Sequence, residues 1–144
     1  MLLPPLNAIP PWVVSLDDYE ALAKERVEEG PWAYLSGASG DEVTNRENRA
    51  AFDRIKLCPR VFQDLSAAST KLNLFGREYA HPIFLAPTAF HRMFHPEGEV
   101  ATILGASAME ACMTVSTSAT IPVEEIARHA TGPPWFQLYI PPGP

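Results

Sequence analysis

The stretch Ile83-Phe-Leu-Ala-Pro-Thr-Ala89 decides the fold, because its first four residues form a continuous apolar run. Such a run is typical of a strand that is buried on both faces of a parallel sheet. Residues 96–111 follow with the apolar spacing of a helix, and Pro96 suits its first turn. Residues 113–116 then predict a second strand.

The same alternation continues toward the C-terminus. Residues 122–130 predict a second crossover helix, which Gly132-Pro133 ends, and residues 135–140 predict a third strand. The segment 83–140 is therefore predicted to be βαβαβ, with parallel strands and right-handed crossovers. In such a sheet, ligands bind at the carboxyl ends of the strands.

The residues before this segment predict an N-terminal arm. Ser15 and Asp18 have the spacing of a capping box, and helical periodicity follows until Gly30-Pro31. Asp41 is the expected N-cap of a second helix, which runs to about residue 56. The remaining predictions are an apolar turn at 32–35, an edge strand at 57–61, and a hairpin at 71–79 around Phe75-Gly76.

These patterns place the chain in the α/β class with two regions. Residues 1–82 form the arm, with two helices and a strand and hairpin region, and residues 83–144 carry three parallel strands and two crossover helices. Composition is consistent with one soluble globular domain, since 47% of the 144 residues are apolar and 19% are charged.

Charge and spacing exclude several classes of function. A net charge of -6, without a run of one sign, argues against a nucleic-acid or anionic membrane partner. No apolar run is long enough to span a bilayer, and the N-terminus lacks the basic region of a signal peptide. Cys58 and Cys112 have no metal-site or disulfide pattern, so we expect no metal site and a cytoplasmic location.

Polar side chains follow each of the three predicted strands. They are Thr88, Ser116, Thr117, Ser118, Gln137 and Tyr139. Hydroxyl and amide groups in such a row could hydrogen-bond a flat heteroaromatic ring. They could equally cap the helices that follow, and spacing alone leaves both interpretations open.

Two histidines lie in the loop after the first predicted strand. His91 and His95 could each act as a base near the ligand face, but the sequence identifies no partner that would position either ring. His95 precedes Pro96, which favours a role at the helix start. On the residues alone, Tyr34 is interpreted as a core residue, because it follows Trp32 in an apolar segment.

The chain resembles the FMN-dependent α-hydroxy acid oxidases and dehydrogenases, which include glycolate oxidase, lactate oxidase, lactate monooxygenase and mandelate-oxidising enzymes. The matching stretches occur in family order between about residues 15 and 140. They are Tyr34-Leu-Ser-Gly-Ala-Ser-Gly-Asp-Glu42, Glu47-Asn-Arg-Ala-Ala-Phe52, Cys58-Pro-Arg60, Ala86-Pro-Thr-Ala89, His95-Pro-Glu-Gly-Glu99, Ser116-Thr-Ser-Ala-Thr120 and Trp135-Phe-Gln-Leu-Tyr139.

The resemblance implies the N-terminal part of a TIM barrel that holds FMN at its carboxyl-terminal face, and a small 2-hydroxy acid as substrate. It implies that the cofactor-binding residues Pro87, Thr88 and Ala89 lie along the flavin ring near N5. It implies that Ser116 and Gln137 bind the ring's polar edge. The substrate-binding residues would be Tyr34 and Tyr139.

The resemblance also implies what lies elsewhere. It places the histidine base, the arginines, the lysine and the phosphate site on strands four to eight, so we expect no catalytic residue in this chain. We therefore expect an incomplete barrel, inactive alone, that pairs with a complementary chain or forms a homo-oligomer. The alternative is a non-catalytic remnant that acts as an oligomerisation or interaction module. At Ser118, several family members carry a large aromatic residue, so a wider substrate pocket is expected.

Overall fold

The computed structural model describes residues 3–4 and 6–140. The helices are α1 (Leu16–Arg26), α2 (Glu29–Ser36), α3 (Val43–Arg54), α4 (Glu99–Ala108) and α5 (Val123–Arg128), with a 3-10 helix at His91–Met93. The strands are β1 (Leu72–Leu74), β2 (Arg77–Tyr79), β3 (Phe84–Leu85), β4 (Cys112–Val115) and β5 (Trp135–Phe136).

Strands β3, β4 and β5 form one sheet in that order, and both pairs are parallel. Phe84 is paired with Cys112, and Val115 is paired with Phe136. Helix α4 connects β3 to β4, and α5 connects β4 to β5. The predicted α/β class and the βαβαβ order of the second region are therefore confirmed, although each strand is shorter than or displaced from its predicted range.

The buried apolar core lies between this sheet and its two crossover helices. Val115 of β4 and Ile126 of α5 are fully buried, and Ile103 of α4 packs in the same cluster. Burying one side chain of this size contributes about 1.5–3 kcal/mol to the free energy of unfolding. Apolar residues of α4, β4 and α5 thus form the interior of the βαβαβ unit. The run 83–86 is not buried as predicted, since Ile83 is 65% exposed and Phe84 and Leu85 are half-buried.

The hairpin β1–β2 closes the amino ends of the sheet. Phe75 and Gly76 both have positive φ, of 51° and 77°, as a two-residue type I′ turn requires. Tyr79 of β2 accepts a hydrogen bond at its hydroxyl from Nε1 of Trp135, at 3.0 Å, and its ring lies 4.9 Å from that of Phe84. These aromatic rings therefore pack at the amino ends of β3 and β5. The hairpin prediction is confirmed.

The capping box predicted at the start of α1 is present. The Ser15 hydroxyl accepts a hydrogen bond from the Asp18 backbone N–H, and the Asp18 carboxylate accepts one from the Ser15 backbone N–H, at 2.8 Å. Hydrogen bonds from the backbone of Val14, and then from Ser15, lower the pKa of Asp18.

Three predictions for the arm are wrong. Gly30-Pro31 does not end the helical structure, because Pro31 lies in the first turn of α2, where its missing N–H has no partner to lose. The predicted apolar turn at 32–35 is therefore helical. Helix α3 begins one residue later than Asp41 predicts, since Glu42 with φ of 57° occupies the N-cap position.

Two further boundaries differ from the sequence prediction. The edge strand predicted at 57–61 is absent from the described structure, and those residues are exposed. Pro96 lies in a turn before α4, and the helix begins at Glu99 after Gly98, whose φ is 54°. A positive φ at Gly98 bends the chain sharply, which delays the helix by one turn. Among the described residues, none of the helices has both the length and the apolar character that crossing a membrane requires.

Candidate functional site

An open cavity of about 490 Å³ lies at the carboxyl ends of the parallel strands. Its lining residues are Tyr34, Leu35, Pro87, Thr88, Ala89, Phe90, Ser116, Ser118, Gln137 and Tyr139. All seven residues to which the resemblance gave a cofactor or substrate role are in this set. The fold therefore brings together side chains that are more than 100 positions apart in the sequence.

The loop after β3 forms one side of the cavity. Pro87, Thr88 and Ala89 come one residue after the end of the strand, and Phe90 turns the chain with φ of 57°. The backbone N–H of Phe90 donates to the carbonyl oxygen of Ser118, at 3.1 Å. This bond joins the loop after β3 to the loop after β4, so the two sides of the cavity are connected through the backbone.

Ser116 and Gln137 form the floor between β4 and β5. The Ser116 hydroxyl donates to Oε1 of Gln137, at 3.1 Å, and accepts from the backbone N–H of Ser118, also at 3.1 Å. The backbone N–H of Gln137 donates to the carbonyl of Val115, at 2.8 Å, which extends the sheet past β5. Because Ser116 is 5% exposed and already bonded twice, the carboxamide NH₂ of Gln137 is the more available donor for a ligand.

Two phenols stand at the rim of the cavity. Tyr34 comes from α2 and is 53% exposed, with its ring 6.2 Å from the ring of Phe90. Its interpretation as a core residue, made from the residues alone, is wrong. Tyr139 follows β5, is 63% exposed, and is held by a hydrogen bond of 3.0 Å from its backbone N–H to the Thr117 hydroxyl.

The Thr117 hydroxyl also donates to the backbone carbonyl of Gln137. One threonine therefore orders the chain on both sides of residue 138. That hydroxyl thus serves the backbone after β5 and caps no helix, since the N-cap of α5 is Pro122.

Both loop histidines lie outside this cavity. Nδ1 of His91 is 3.0 Å from the hydroxyl of Thr102, and Nδ1 of His95 accepts from the backbone N–H of Glu97, at 3.2 Å. The two rings line a neighbouring, mostly apolar cavity together with Phe94. His95 thus orders the turn before α4, as its position before Pro96 predicts.

Glu99 is a residue that the sequence analysis quoted but did not assign. It is the first residue of α4, and it is only 1% exposed. Its carboxylate accepts hydrogen bonds from the backbone N–H of Thr120, at 2.8 Å, the Thr120 hydroxyl, at 2.6 Å, and the backbone N–H of His91, at 3.2 Å. The only signal in the sequence was its place at the end of the matching stretch His95-Pro-Glu-Gly-Glu99.

The ionisation of Glu99 follows from these bonds. Burial raises the pKa of a carboxyl group, but the hydrogen bonds from the Thr120 side chain and from the backbone of Thr120 and His91 outweigh it, so the pKa of Glu99 lies below its ordinary value of 4.5. Glu99 is therefore ionised at neutral pH.

The lining of the cavity suits the ring of a flavin and not its phosphate. All ten lining residues are uncharged, and they present hydroxyl, carboxamide and backbone groups beside apolar surface. A flat heteroaromatic ring with donors and acceptors along one edge matches this set. A phosphate is better matched by an arginine, a lysine or a helix N-terminus. A second cavity, of about 270 Å³, is lined by residues of the hairpin and α4 and contains none of the predicted site residues.

Comparison with known proteins finds relatives that are named as oxidases. The chain is 42% identical to the L-lactate oxidase of Alicycliphilus denitrificans over 139 residues, covering 96% of this chain and 38% of that protein. It is 39% identical to glycolate oxidase 3 of Oryza sativa subsp. indica, covering 89% of this chain and 35% of that protein. The chain thus spans little more than a third of the length of these relatives.

Solved structures agree with the sequence matches. A crystal structure of mandelate oxidase with (S)-2-phenylpropionate superposes with a TM-score of 0.83 at 40% identity, covering 88% of this chain and 37% of that one. Residues 23–143 match the family described as FMN-dependent dehydrogenase, whose cofactor is the one that the resemblance implied. Because the family model matches most of the chain and the relatives carry the same similarity, this chain belongs to the FMN-dependent dehydrogenase family.

Proposed function

We propose that this chain forms one wall of the FMN and substrate site of a 2-hydroxy acid oxidoreductase. The single observation that carries the proposal is the cavity at the carboxyl ends of β3, β4 and β5, which all seven expected site residues line. Its position agrees with the general rule for parallel α/β sheets. Membership of the FMN-dependent dehydrogenase family supports the same cofactor.

The fold proposal is that β3, β4 and β5 are the first three strands of a TIM barrel. The order β3-β4-β5 is sequential and parallel, as neighbouring barrel strands are. β5 lies at one edge of the three-stranded sheet, and Leu138 and Ile140 beyond it are exposed. Residues 1–82 would form the arm before the barrel, and residues 83–144 its first part.

The chain's own residues would bind and orient the ring. The Gln137 carboxamide, aligned by Ser116, would donate to the polar edge of the ring, and the loop at 87–89 would lie along its face. When bound there, FMN would supply a two-electron acceptor for the oxidation of a 2-hydroxy acid to a 2-oxo acid, with the hydroxyl proton taken by the base that another segment would supply.

Two phenols would hold the substrate. Tyr34 and Tyr139 stand at the rim of the cavity, and their hydroxyls are neutral donors for a carboxylate or hydroxyl group at neutral pH. We propose that the base, the arginines and the phosphate anchor are supplied by another polypeptide segment, since the residues that line the cavity are uncharged.

The substrate class follows from the relatives and the cavity. The relatives are named for lactate, glycolate and mandelate, which are all 2-hydroxy acids, so we propose a small 2-hydroxy acid. Ser118 lines the cavity with a small side chain, which leaves room beside the predicted substrate position.

A second candidate function is an oligomerisation or interaction module without catalysis. It is favoured by the arm, where helices α1, α2 and α3 bury no residue and several large apolar side chains are exposed. The two candidates differ in flavin binding, since an interaction module would not need the cavity.

Flavin titration of the purified full chain tests the proposal. We expect quenching of lumiflavin fluorescence, with an affinity that FMN does not improve, because no lining residue is charged. Gln137→Ala should weaken lumiflavin binding by about tenfold, the effect of one lost ligand hydrogen bond. Glu97→Gln is the matched control, because Glu97 is exposed and does not line the cavity.

The outcomes separate the candidates. Quenching that Gln137→Ala reduces and Glu97→Gln preserves supports the flavin site. Absence of quenching, together with a concentration-dependent oligomer by light scattering, favours the interaction module. Lactate or glycolate oxidation by the chain alone would contradict the proposal that another segment supplies the base.

A further inference from the structure

Glu99 lies at the point where three segments of the cavity side of the sheet meet. It begins α4, its Oε1 accepts from the backbone N–H of His91 in the loop after β3, and its Oε1 and Oε2 accept from Thr120 in the loop after β4. One buried carboxylate therefore binds both loops that form the sides of the candidate cavity.

These contacts are linked to the cavity by short stretches of chain. His91 is adjacent to Phe90, whose N–H donates to the Ser118 carbonyl, and Thr120 lies two residues beyond Ser118. The Phe90 to Ser118 bond thus lies between the Glu99 contacts and the lining residues 87–89 and 116. A change at Glu99 would reach the cavity through Phe90 and Ser118, which line it and bond each other, while the Arg92 N–H also donates to the Thr120 hydroxyl, at 3.4 Å.

The site of Glu99 is built for a charged acceptor. Three donors converge on a side chain that is 1% exposed, and charge-assisted hydrogen bonds are stronger than neutral ones. Side chains also pack closely against Gly98, the residue before it, because a Cβ at Gly98 would stand 2.8 Å from Cγ of Arg92. Buried charges are rare in proteins unless they are paired or fully hydrogen-bonded, so this carboxylate needs an explanation.

We propose that Glu99 is a positioning residue, which holds the loops after β3 and β4 at the separation that a flavin ring requires. The inference rests on the proposed function, because only a bound ring gives the separation of the loops a role. Glu99 does not line the cavity and would not contact the ring. It acts through the backbone of Phe90 and Thr120.

The proposed role of Glu99 differs from that of a residue in the apolar core. Glu99 lies outside the apolar cluster that contains Ile103, Val115 and Ile126. Loss of its contacts should therefore loosen the two loops without loosening the core. Amide hydrogen exchange distinguishes these effects, because Phe90 N–H reports the bond between the loops and Ile126 N–H, bonded to the Pro122 carbonyl, reports the core.

The experiment compares Glu99→Gln with Thr120→Val in the full chain, by amide exchange and by lumiflavin titration. Glu99→Gln retains the shape of the side chain and removes its charge, and Thr120→Val removes one of the three donors. The matched controls are Thr120→Ser, which keeps the hydroxyl, and Glu97→Gln, which makes the same charge change on an exposed residue.

We expect both test variants to accelerate exchange at Phe90 by about tenfold and to weaken lumiflavin binding by a similar factor, since one charge-assisted hydrogen bond is lost. Exchange at Ile126 should change by less than a factor of two, and both controls should resemble the unmodified chain. Protection at Phe90 in the unmodified chain should fall as the pH falls through the lowered pKa of Glu99, and Glu99→Gln should lack this dependence.

The charged and titratable groups on the segments that bond or adjoin Glu99 are His91 and Arg92 on the 3-10 helix and His95 and Glu97 in the turn before α4. The Thr120 loop contributes uncharged donors. Repeating the acid titration in Glu97→Gln separates the contribution of that neighbouring carboxylate from the effect of Glu99.

Each result decides the proposal. Unchanged exchange at Phe90 in a folded Glu99→Gln variant, or equal acceleration at Phe90 and Ile126, would overturn it. If Glu99→Gln does not fold, the contrast between Thr120→Val and Thr120→Ser carries the same test. If the unmodified chain binds no lumiflavin while the variants still loosen Phe90 selectively, the loop restraint stands and the proposed flavin function fails.

Discussion

The helical arm and the βαβαβ unit use apolar residues in opposite ways. In the βαβαβ unit, the side chains of Ile103, Val115 and Ile126 are almost completely buried. In α1, α2 and α3 no residue is buried, and large side chains such as Phe52 and Ile55 are exposed. The comparison teaches that a large apolar side chain contributes to stability only where it packs against another element, because the hydrophobic contribution depends on the apolar area removed from water.

The difference in packing between the two regions also affects how firmly the residues of the candidate cavity are held. The cavity residues after β3, β4 and β5 are held by a packed sheet, whereas Tyr34 reaches the cavity from α2, which buries no residue. We therefore expect the sheet part of the site to be well ordered in the free chain. The contribution of Tyr34 should depend more strongly on what else covers the arm.

The largest contrast should come from the same substitution in the two regions. Ile126→Ala should lower the free energy of unfolding by about 2–5 kcal/mol, because it leaves a cavity in the core. Ile55→Ala, at a residue that is 68% exposed, should change it by less than about 0.5 kcal/mol. Urea denaturation of both variants measures the difference. Equal effects would mean that residues 43–55 are packed as well as the sheet.

A smaller effect is expected at the hairpin, which covers the amino ends of the sheet. Tyr79→Phe removes the acceptor of the hydrogen bond from Trp135 and should lower the free energy of unfolding by about 0.5–1.5 kcal/mol. Thermal denaturation monitored by tryptophan fluorescence measures it. Phe75→Tyr is a control at an exposed ring in the same hairpin, and it should leave the midpoint unchanged.

The capping box of α1 should affect the arm and leave the core unchanged. Ser15→Ala should weaken α1 locally by about 1 kcal/mol, the usual cost of a lost N-cap. Amide exchange within α1 should accelerate while that of Ile126 does not. A parallel loss of protection at Ile126 would show that the arm and the sheet unfold together.

The same capping box predicts a pH dependence. Because the folded-state pKa of Asp18 is lowered, its contribution is complete above the ordinary pKa of 3.8 and is lost as the pH falls through the folded value. The α1 amides should therefore lose protection in acid, and Asp18→Asn should abolish that dependence. An identical acid transition in Asp18→Asn would assign it to other carboxylates.

The smallest effect is expected for the ion pair between α1 and α3. Arg49 is bonded to both oxygens of Asp17 at 2.8 Å, but both side chains are largely exposed. Exposed pairs of this kind contribute little in water. Arg49→Ala should therefore leave the unfolding midpoint unchanged in urea denaturation. A clear decrease would show that the pair restrains the arm more than its exposure suggests.

Much of the second region could be predicted from the sequence, because its signals are local. The apolar run at 83–86 and the strand pattern at 113–116, with helical periodicity between them, favour two parallel strands joined by a crossover helix. The arm was harder to predict, because a proline disrupts the middle of a helix but is tolerated in its first turn. The local sequence around Pro31 does not distinguish these two positions, and the structure places it in the first turn of α2.

The residues that line the candidate cavity could be predicted from the sequence, but the hydrogen bonds between them could not. The motifs indicated Ser116 and Gln137, but only the pairing of β4 with β5 shows that the two side chains bond each other. Glu99 was missed because its donors, His91 and Thr120, lie 8 and 21 positions away. Spacing along the chain carries no information about such convergence.

The sequence by itself therefore determined the βαβαβ order, the hairpin and the family, because each depends on periodicities and motifs within short stretches. Only the tertiary structure decided that a buried carboxylate joins the two loops at the cavity, and that the arm leaves its apolar side chains exposed. The physical reason is that burial and hydrogen-bond partners are properties of segments brought together in space, which no local pattern specifies.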